Sequence, residues 1–76
     1  MVYAYVFIDC SANTAEEALS SIRGIDVVRE AHVVTGDFDV VAEITAGEVY
    51  DVLATVTREI RSLDGVGTTR TYIALE

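Results

Sequence analysis

The stretch VYAYVFI at residues 2–8 limits the possible folds of this chain more than any other segment. Its residues are apolar throughout and favour β-structure, so it predicts a strand that is covered on both faces and lies inside a sheet. Because side chains alternate along a strand, one face carries three aromatic rings, Tyr3, Tyr5 and Phe7. The other face carries small and branched aliphatic side chains. Both faces therefore need a covering layer.

The rest of the pattern predicts two helices and three further strands. The helices are expected at residues 14–23 and 47–62, and the strands at residues 25–34, 39–45 and 67–75. Thr14 and Glu17 have the spacing of a capping box at the first helix. The order βαββαβ is that of the α+β, ferredoxin-like split βαβ fold, an antiparallel sheet of order 4-1-3-2 with both helices on one face. Residues 1–76 are expected to form a single domain.

Helices on one face leave the other face of the sheet uncovered. We expect that face to include Tyr3, Tyr5, Phe7 and Ile73, although the pattern leaves open by one residue how the later strands are oriented. An apolar face on so small a domain indicates an interface, here a homodimer formed sheet to sheet. Cys10 is the only cysteine, which excludes an intramolecular disulfide as a substitute for a partner.

The charge balance excludes direct binding to nucleic acid as the main function. The chain has 13 acidic residues and five basic residues, all of them arginine, for a net charge of −8. Such a chain repels phosphates and anionic membranes. An excess of acids without lysine predicts a halophilic source, with an ordinary acidic cytosolic protein as the alternative. The residues show no signal-peptide pattern and no membrane-length apolar run, which predicts a cytoplasmic protein.

No catalytic residue, metal site or cofactor is predicted. His32 is the only histidine and lies on a polar strand, where an inert surface position is expected. Cys10 lacks a basic neighbour that would favour the thiolate, and Asp9 beside it opposes it. The chain has no glycine-rich phosphate loop and no metal-ligand spacing. We therefore expect a protein that is not an enzyme.

The segment VVTGDFDVVAEI at residues 33–44 joins two strands through the loop TGDFD. Gly36 admits the positive φ that a tight turn needs. Together with SLDGVGTTRTYIALE at residues 62–76, this segment resembles the effector-binding (RAM) domain of the leucine-responsive/asparagine (Lrp/AsnC) family of transcription regulators. The resemblance covers the whole chain.

The resemblance implies a function and a set of site residues. Domains of this kind dimerise through their sheets, assemble further, and bind amino-acid effectors near the loop between the second and third strands. By position, the implied ligand-binding residues are Thr35, Gly36, Asp37, Phe38 and Asp39, with Thr69 and Thr71 on the fourth strand as further candidates. A carboxylate would accept the ligand ammonium, while hydroxyl and backbone donors would bind its carboxylate.

Family regulators carry a helix-turn-helix domain before this one, whereas this sequence starts at the first strand. We therefore expect an oligomerising module that acts in transcription regulation without binding DNA itself, alone or together with a full-length Lrp/AsnC regulator. Two other classes remain open: an assembly partner of full-length regulators that binds no ligand, and a small dimeric α/β-barrel enzyme. The ACT domain has the same strand order, but it has a glycine in the turn after the first strand, where DCSANT has none.

Overall fold

The computed structural model describes residues 1–75, which form one antiparallel sheet and two helices. The elements are β1 (Val2–Cys10), α1 (Ala15–Arg23), β2 (Val28–Val33), β3 (Val40–Ala46), α2 (Val49–Thr55) and β4 (Val66–Ile73). α2 continues into a π-helical turn at Val56–Ile60. The sheet order is β2-β3-β1-β4, which is 4-1-3-2 read from the other edge. The predicted fold and the central position of β1 are confirmed.

The hydrophobic core lies between the sheet and the helices. From β1, the side chains of Ala4, Val6 and Ile8 are fully buried in it. β3 and the helices fill the remaining space with Val40, Ala42, Ile44, Ala18, Ile22, Val52, Val56 and Ile60. The small and branched residues of the two central strands allow the helices to pack closely on the sheet.

The register of β4 corrects the predicted open face. Ile73 lies opposite Ala4, and Thr71 and Thr69 lie opposite Val6 and Ile8. Because partners in an antiparallel pair point to the same face, these three β4 residues lie on the helix side of the sheet. Placing Ile73 on the face that carries Tyr3, Tyr5 and Phe7 was therefore wrong. The β4 residues on that open face are Arg70 and Tyr72, opposite Phe7 and Tyr5.

The start of α1 also differs from its prediction. The Thr14 side chain makes no capping bond to the helix, and its hydroxyl donates instead to the carbonyl oxygen of Ser11, at 2.7 Å. Thr14 packs closely against Gly65, where a Cβ would lie only 2.5 Å from its Oγ1. Gly65 has φ +85°, so both its conformation and its closeness to Thr14 require glycine.

β2 is shorter than predicted and forms one edge of the sheet. Its strand starts at Val28 rather than residue 25, because Val28 N donates to Ile25 O in a turn after α1. On the outer side of β2, the Arg23 guanidinium donates from Nε and Nη2 to the carbonyl oxygen of Ala31, at 3.0 and 2.7 Å. The last residue of α1 thus binds the backbone of the edge strand.

Candidate ligand site

The TGDFD loop makes a tight connection between β2 and β3. Val34 N donates to Asp39 O at 2.8 Å and closes the loop at its base. Gly36 has φ +133°, and no atom lies within 4 Å of the place where a Cβ would be. The conformation, not crowding, therefore requires glycine at this position, and the predicted turn role of Gly36 is confirmed.

Asp39 connects the loop to the end of β1. Its Oδ2 accepts a hydrogen bond from Cys10 N at 2.8 Å, and its own N–H donates to Ile8 O at 3.0 Å. Burial raises the pKa of the Cys10 thiol, and the negative charges of Asp39 and Asp9 raise it further. The Asp39 carboxylate thus holds two chain segments together and keeps the neighbouring thiol protonated.

An open hollow of about 370 Å³ lies where the loop meets the open face of the sheet. The residues that line it come from β1, β4 and the loop: Phe7, Val34, Thr35, Asp37, Phe38 and Tyr72. The ring of Phe7 lies between two others, with its centroid 5.9 Å from that of Phe38 and 5.6 Å from that of Tyr72. These rings form an apolar wall, and Asp37 is the one carboxylate in the lining of the hollow.

The structure divides the predicted ligand residues into three groups. Thr35, Asp37 and Phe38 line the hollow. Gly36 and Asp39 shape the loop without lining it. The predicted ligand-binding residues Thr69 and Thr71 lie on the helix side of the sheet, opposite Ile8 and Val6, and do not meet the hollow.

Sequence reasoning did not assign Phe7, Val34 and Tyr72 to this site. The signal for Tyr72 was the alternation of β4, which puts it on one face with Arg70. β4 is rich in threonine and shows no apolar alternation, so its sequence alone does not tell which of its residues face the helices. Phe7 was assigned to the open face alone, since its contact with Phe38 joins segments far apart in the sequence.

The β2 side of the open face is polar. Arg29 donates from Nη1 to the Tyr3 hydroxyl at 2.6 Å, and its guanidinium carbon lies 5.7 Å from the ring centroid. His32 Nε2 and Glu30 Oε1 are 3.2 Å apart, and Glu30 lies opposite Glu43 on β3. The open face therefore combines exposed tyrosine rings with a charged border.

A metal-binding cluster and a membrane-spanning helix were both sought in the described part of the chain. Within residues 1–75, no cluster of three or more His, Cys, Asp or Glu side chains is arranged to hold a metal ion. None of the helices in that range combines the length and the apolar character needed to cross a membrane.

Comparison with known proteins identifies the family. Residues 3–76 match the family model described as the Lrp/AsnC ligand binding domain. The chain belongs to the Lrp/AsnC family. This family consists of transcription regulators, so membership supports a regulatory role and confirms the resemblance found in the sequence.

Individual relatives agree with this assignment. The Lrp/AsnC domain is 30% identical over 61 residues to the leucine-responsive regulatory protein of Haemophilus influenzae, covering 80% of this chain but 37% of that protein. The chain thus spans little more than a third of that relative. The crystal structure of TTHA0845 from Thermus thermophilus is 33% identical, with a TM-score of 0.96 over 100% of this chain and 95% of that chain.

A second solved structure shares the fold at low identity. The transcriptional regulator NMB0573 of Neisseria meningitidis, solved as a complex with L-Met, is 19% identical, with a TM-score of 0.86. The match covers 99% of this chain and 50% of the Neisseria chain.

Proposed function

We propose that this Lrp/AsnC domain binds an amino acid in the hollow beside the TGDFD loop, forms homo-oligomers, and acts in transcription regulation without contacting DNA itself. The observation that carries the proposal is the composition of the hollow. The Asp37 carboxylate, the Thr35 hydroxyl and three aromatic rings line an open space of about 370 Å³ in a domain of a ligand-binding family. This volume is within the range of about 300–1,000 Å³ that small-molecule sites occupy.

The chemistry of the lining suits an α-amino acid. The Asp37 carboxylate accepts hydrogen bonds from an ammonium, and the Thr35 hydroxyl donates to a carboxylate. The rings of Phe7, Phe38 and Tyr72 offer apolar contact for a side chain. The Neisseria regulator was solved with L-Met, which makes amino acids the first class of ligand to test.

The open face supports the homodimer. Tyr3, Tyr5 and Tyr72 keep 37%, 39% and 55% of their surface exposed on that face. Tyrosine is enriched in interfaces because its ring is apolar while its hydroxyl keeps a hydrogen-bonding partner. Two copies stacked sheet to sheet would cover these rings, and the hollow would then lie at the border between protomers.

The charge supports an indirect action on transcription. With a net charge of −8, the domain has no excess of cations to neutralise phosphates. Its influence on a promoter would pass through full-length Lrp/AsnC regulators in the cytoplasm that assemble with it. A gel shift by the purified chain alone, reversed by competitor DNA, would contradict this part of the proposal.

A thermal-shift screen of the twenty amino acids in high potassium chloride tests ligand binding. A ligand at 100 times its Kd stabilises a one-site protein by about 2.7 kcal/mol. The Asp37→Asn variant is expected to lose most of this shift. Asp26→Asn, an exposed carboxylate in the turn before β2, is the matched control and keeps the shift. If no amino acid stabilises the wild type, the alternative of an assembly partner without a ligand is favoured.

A further inference from the structure

We infer that Arg70 completes the hollow as its carboxylate-binding residue, so that the site takes zwitterionic amino acids with large apolar side chains. This inference rests on the proposed function of the hollow as the ligand site. It adds a residue that neither the loop motif nor the lining of the hollow includes, and it narrows the ligand class.

The register of β4 places Arg70 beside the hollow. Arg70 lies directly opposite Phe7 and two residues before Tyr72, and both of those side chains line the hollow. Side chains of directly opposite residues in an antiparallel pair have Cβ atoms roughly 5 Å apart on the same face. An arginine side chain is long enough to reach across such a neighbour. Arg70 is exposed and forms no salt bridge with any other described residue.

The other arginines are placed elsewhere. Arg23 binds a carbonyl oxygen of β2, and Arg29 binds the Tyr3 hydroxyl. Arg58 and Arg61 belong to the helix layer, at the end of α2. The chain contains no lysine. Arg70 is therefore the one arginine of residues 1–75 that the strand register places beside Phe7 and Tyr72 on the open face.

A zwitterion requires two opposite charges from its site. Asp37 supplies the negative charge in the hollow, while Thr35 alone would leave the ligand carboxylate without a cation. A guanidinium fits a carboxylate with two parallel hydrogen bonds, which are stronger than those of neutral donors. Asp37 on the loop and Arg70 on β4 would thus bind the ammonium and the carboxylate from two sides.

The rest of the wall determines the ligand side chain. The wall offers the rings and methyl groups of Phe7, Phe38, Tyr72 and Val34. None of the residues that line the hollow is a cation that could pair with an acidic side chain of the ligand. Apolar contact contributes in proportion to the area removed from water, so phenylalanine gains far more than alanine. Glutamate would place a second carboxylate near Asp37 and be disfavoured.

Calorimetric titration with L-phenylalanine, two analogues that each lack one of its charges, L-alanine and L-glutamate tests the inference. L-Phenylalanine carries both charges, phenethylamine lacks the carboxylate, and 3-phenylpropionate lacks the ammonium. We expect wild type to bind L-phenylalanine most tightly, and Arg70→Gln to weaken its binding about tenfold or more, because the variant loses the charged hydrogen bonds to the ligand carboxylate. Binding of phenethylamine should not change in this variant. Arg61→Gln removes the same charge from the helix layer and is the matched control.

Each contrary result has a defined meaning. If wild type binds L-phenylalanine but Arg70→Gln and Arg61→Gln bind it equally well, the role of Arg70 is refuted and the ligand site stands. If L-alanine or L-glutamate binds more tightly than L-phenylalanine, the ligand class is refuted. If wild type binds none of the twenty amino acids, the proposed function fails and this inference fails with it.

Discussion

The two faces of β1 come from one short run of sequence, yet they have different fates in the folded chain. Ala4, Val6 and Ile8 are fully buried under the helices, whereas Tyr3 and Tyr5 on the other face keep 37% and 39% of their surface exposed. Small and branched aliphatic groups fill a core tightly. Tyrosine combines an apolar ring with a polar end and suits a surface that meets a partner. One face therefore stabilises the protomer, and the other is available for recognition.

The largest expected effect on stability comes from truncating a side chain on the covered face of the sheet. Ile44→Ala removes a fully buried side chain of β3 and should cost about 2–5 kcal/mol, much of the stability of so small a domain. Val41→Ala, on the open face of the same strand, is half-buried and should cost less than about 1.5 kcal/mol. Urea denaturation of both variants measures the difference. Equal costs would mean that the faces contribute alike to stability.

The second effect concerns assembly, and it comes from placing a charge on the open face while the core stays unchanged. Tyr5→Asp should leave the protomer folded but dissociate the homodimer, because an interface would desolvate the new charge without a partner for it. Light scattering at micromolar concentration reports the mass, and circular dichroism reports the fold. Tyr50→Asp, on an exposed position of α2, should keep the wild-type mass. A wild-type chain that is monomeric at this concentration would contradict the proposed homodimer.

The third effect distinguishes the contributions of the two loop carboxylates, Asp37 and Asp39, to stability. Asp39→Ala loses the acceptor of the Cys10 N–H and should destabilise the domain by about 1–3 kcal/mol. Asp37→Ala leaves no described hydrogen bond broken and should melt near the wild-type temperature. Thermal melts without ligand measure both. An Asp39→Ala variant that melts like wild type would contradict a stabilising role for the bond between Asp39 and Cys10.

A smaller effect concerns the thiol beside Asp39. Burial raises the pKa of Cys10 most and the negative charge of Asp39 raises it further, so Asp39→Asn should lower that pKa and speed alkylation by iodoacetamide at pH 8. Burial still raises the pKa in the variant, so the thiol stays less reactive than a free cysteine. The raised folded-state pKa also means that the stability contributed by the protonated thiol is lost as pH rises through it. Mass spectrometry follows the reaction, and Asp37→Asn should react like wild type.

The smallest effect applies to both faces at once. With 13 acidic residues against five arginines, molar potassium chloride should screen surface repulsion and raise the melting temperature by a few degrees. The gain is modest because each exposed pair contributes little. A melting temperature that does not respond to salt would argue against a halophilic source.

Sequence reasoning was most successful where a single strand shows its own pattern. β1 is apolar throughout, and the rings of Tyr3 and Tyr5 alternate with aliphatic residues, so its central place and its two faces could be predicted. β4 is rich in threonine, which suits either face, and the register that puts Ile73 opposite Ala4 could not be derived from it. The orientation of β4 in turn determined where Arg70 and Tyr72 lie.

The ligand site was predictable only in part for a related reason. The loop residues Thr35, Asp37 and Phe38 are neighbours in sequence, so their grouping could be predicted from the TGDFD motif. The role of Asp39 depends on a bond to Cys10, 29 residues away. Contacts between distant segments follow from the packing of the whole domain and leave no local signal in the sequence.

The contact between Arg23 and Ala31 has a consequence for how molecules of this protein can aggregate. An edge strand with free carbonyls and N–H groups invites a strand from another molecule, and a sheet with two such edges can extend into a fibril. At the β2 edge an incoming strand would have to displace both guanidinium donors from the Ala31 oxygen. Growth by strand addition is thus left to the β4 edge. Two copies joined there would present only their two β2 edges, and at each of these the Arg23 guanidinium on the Ala31 oxygen hinders the addition of a further strand.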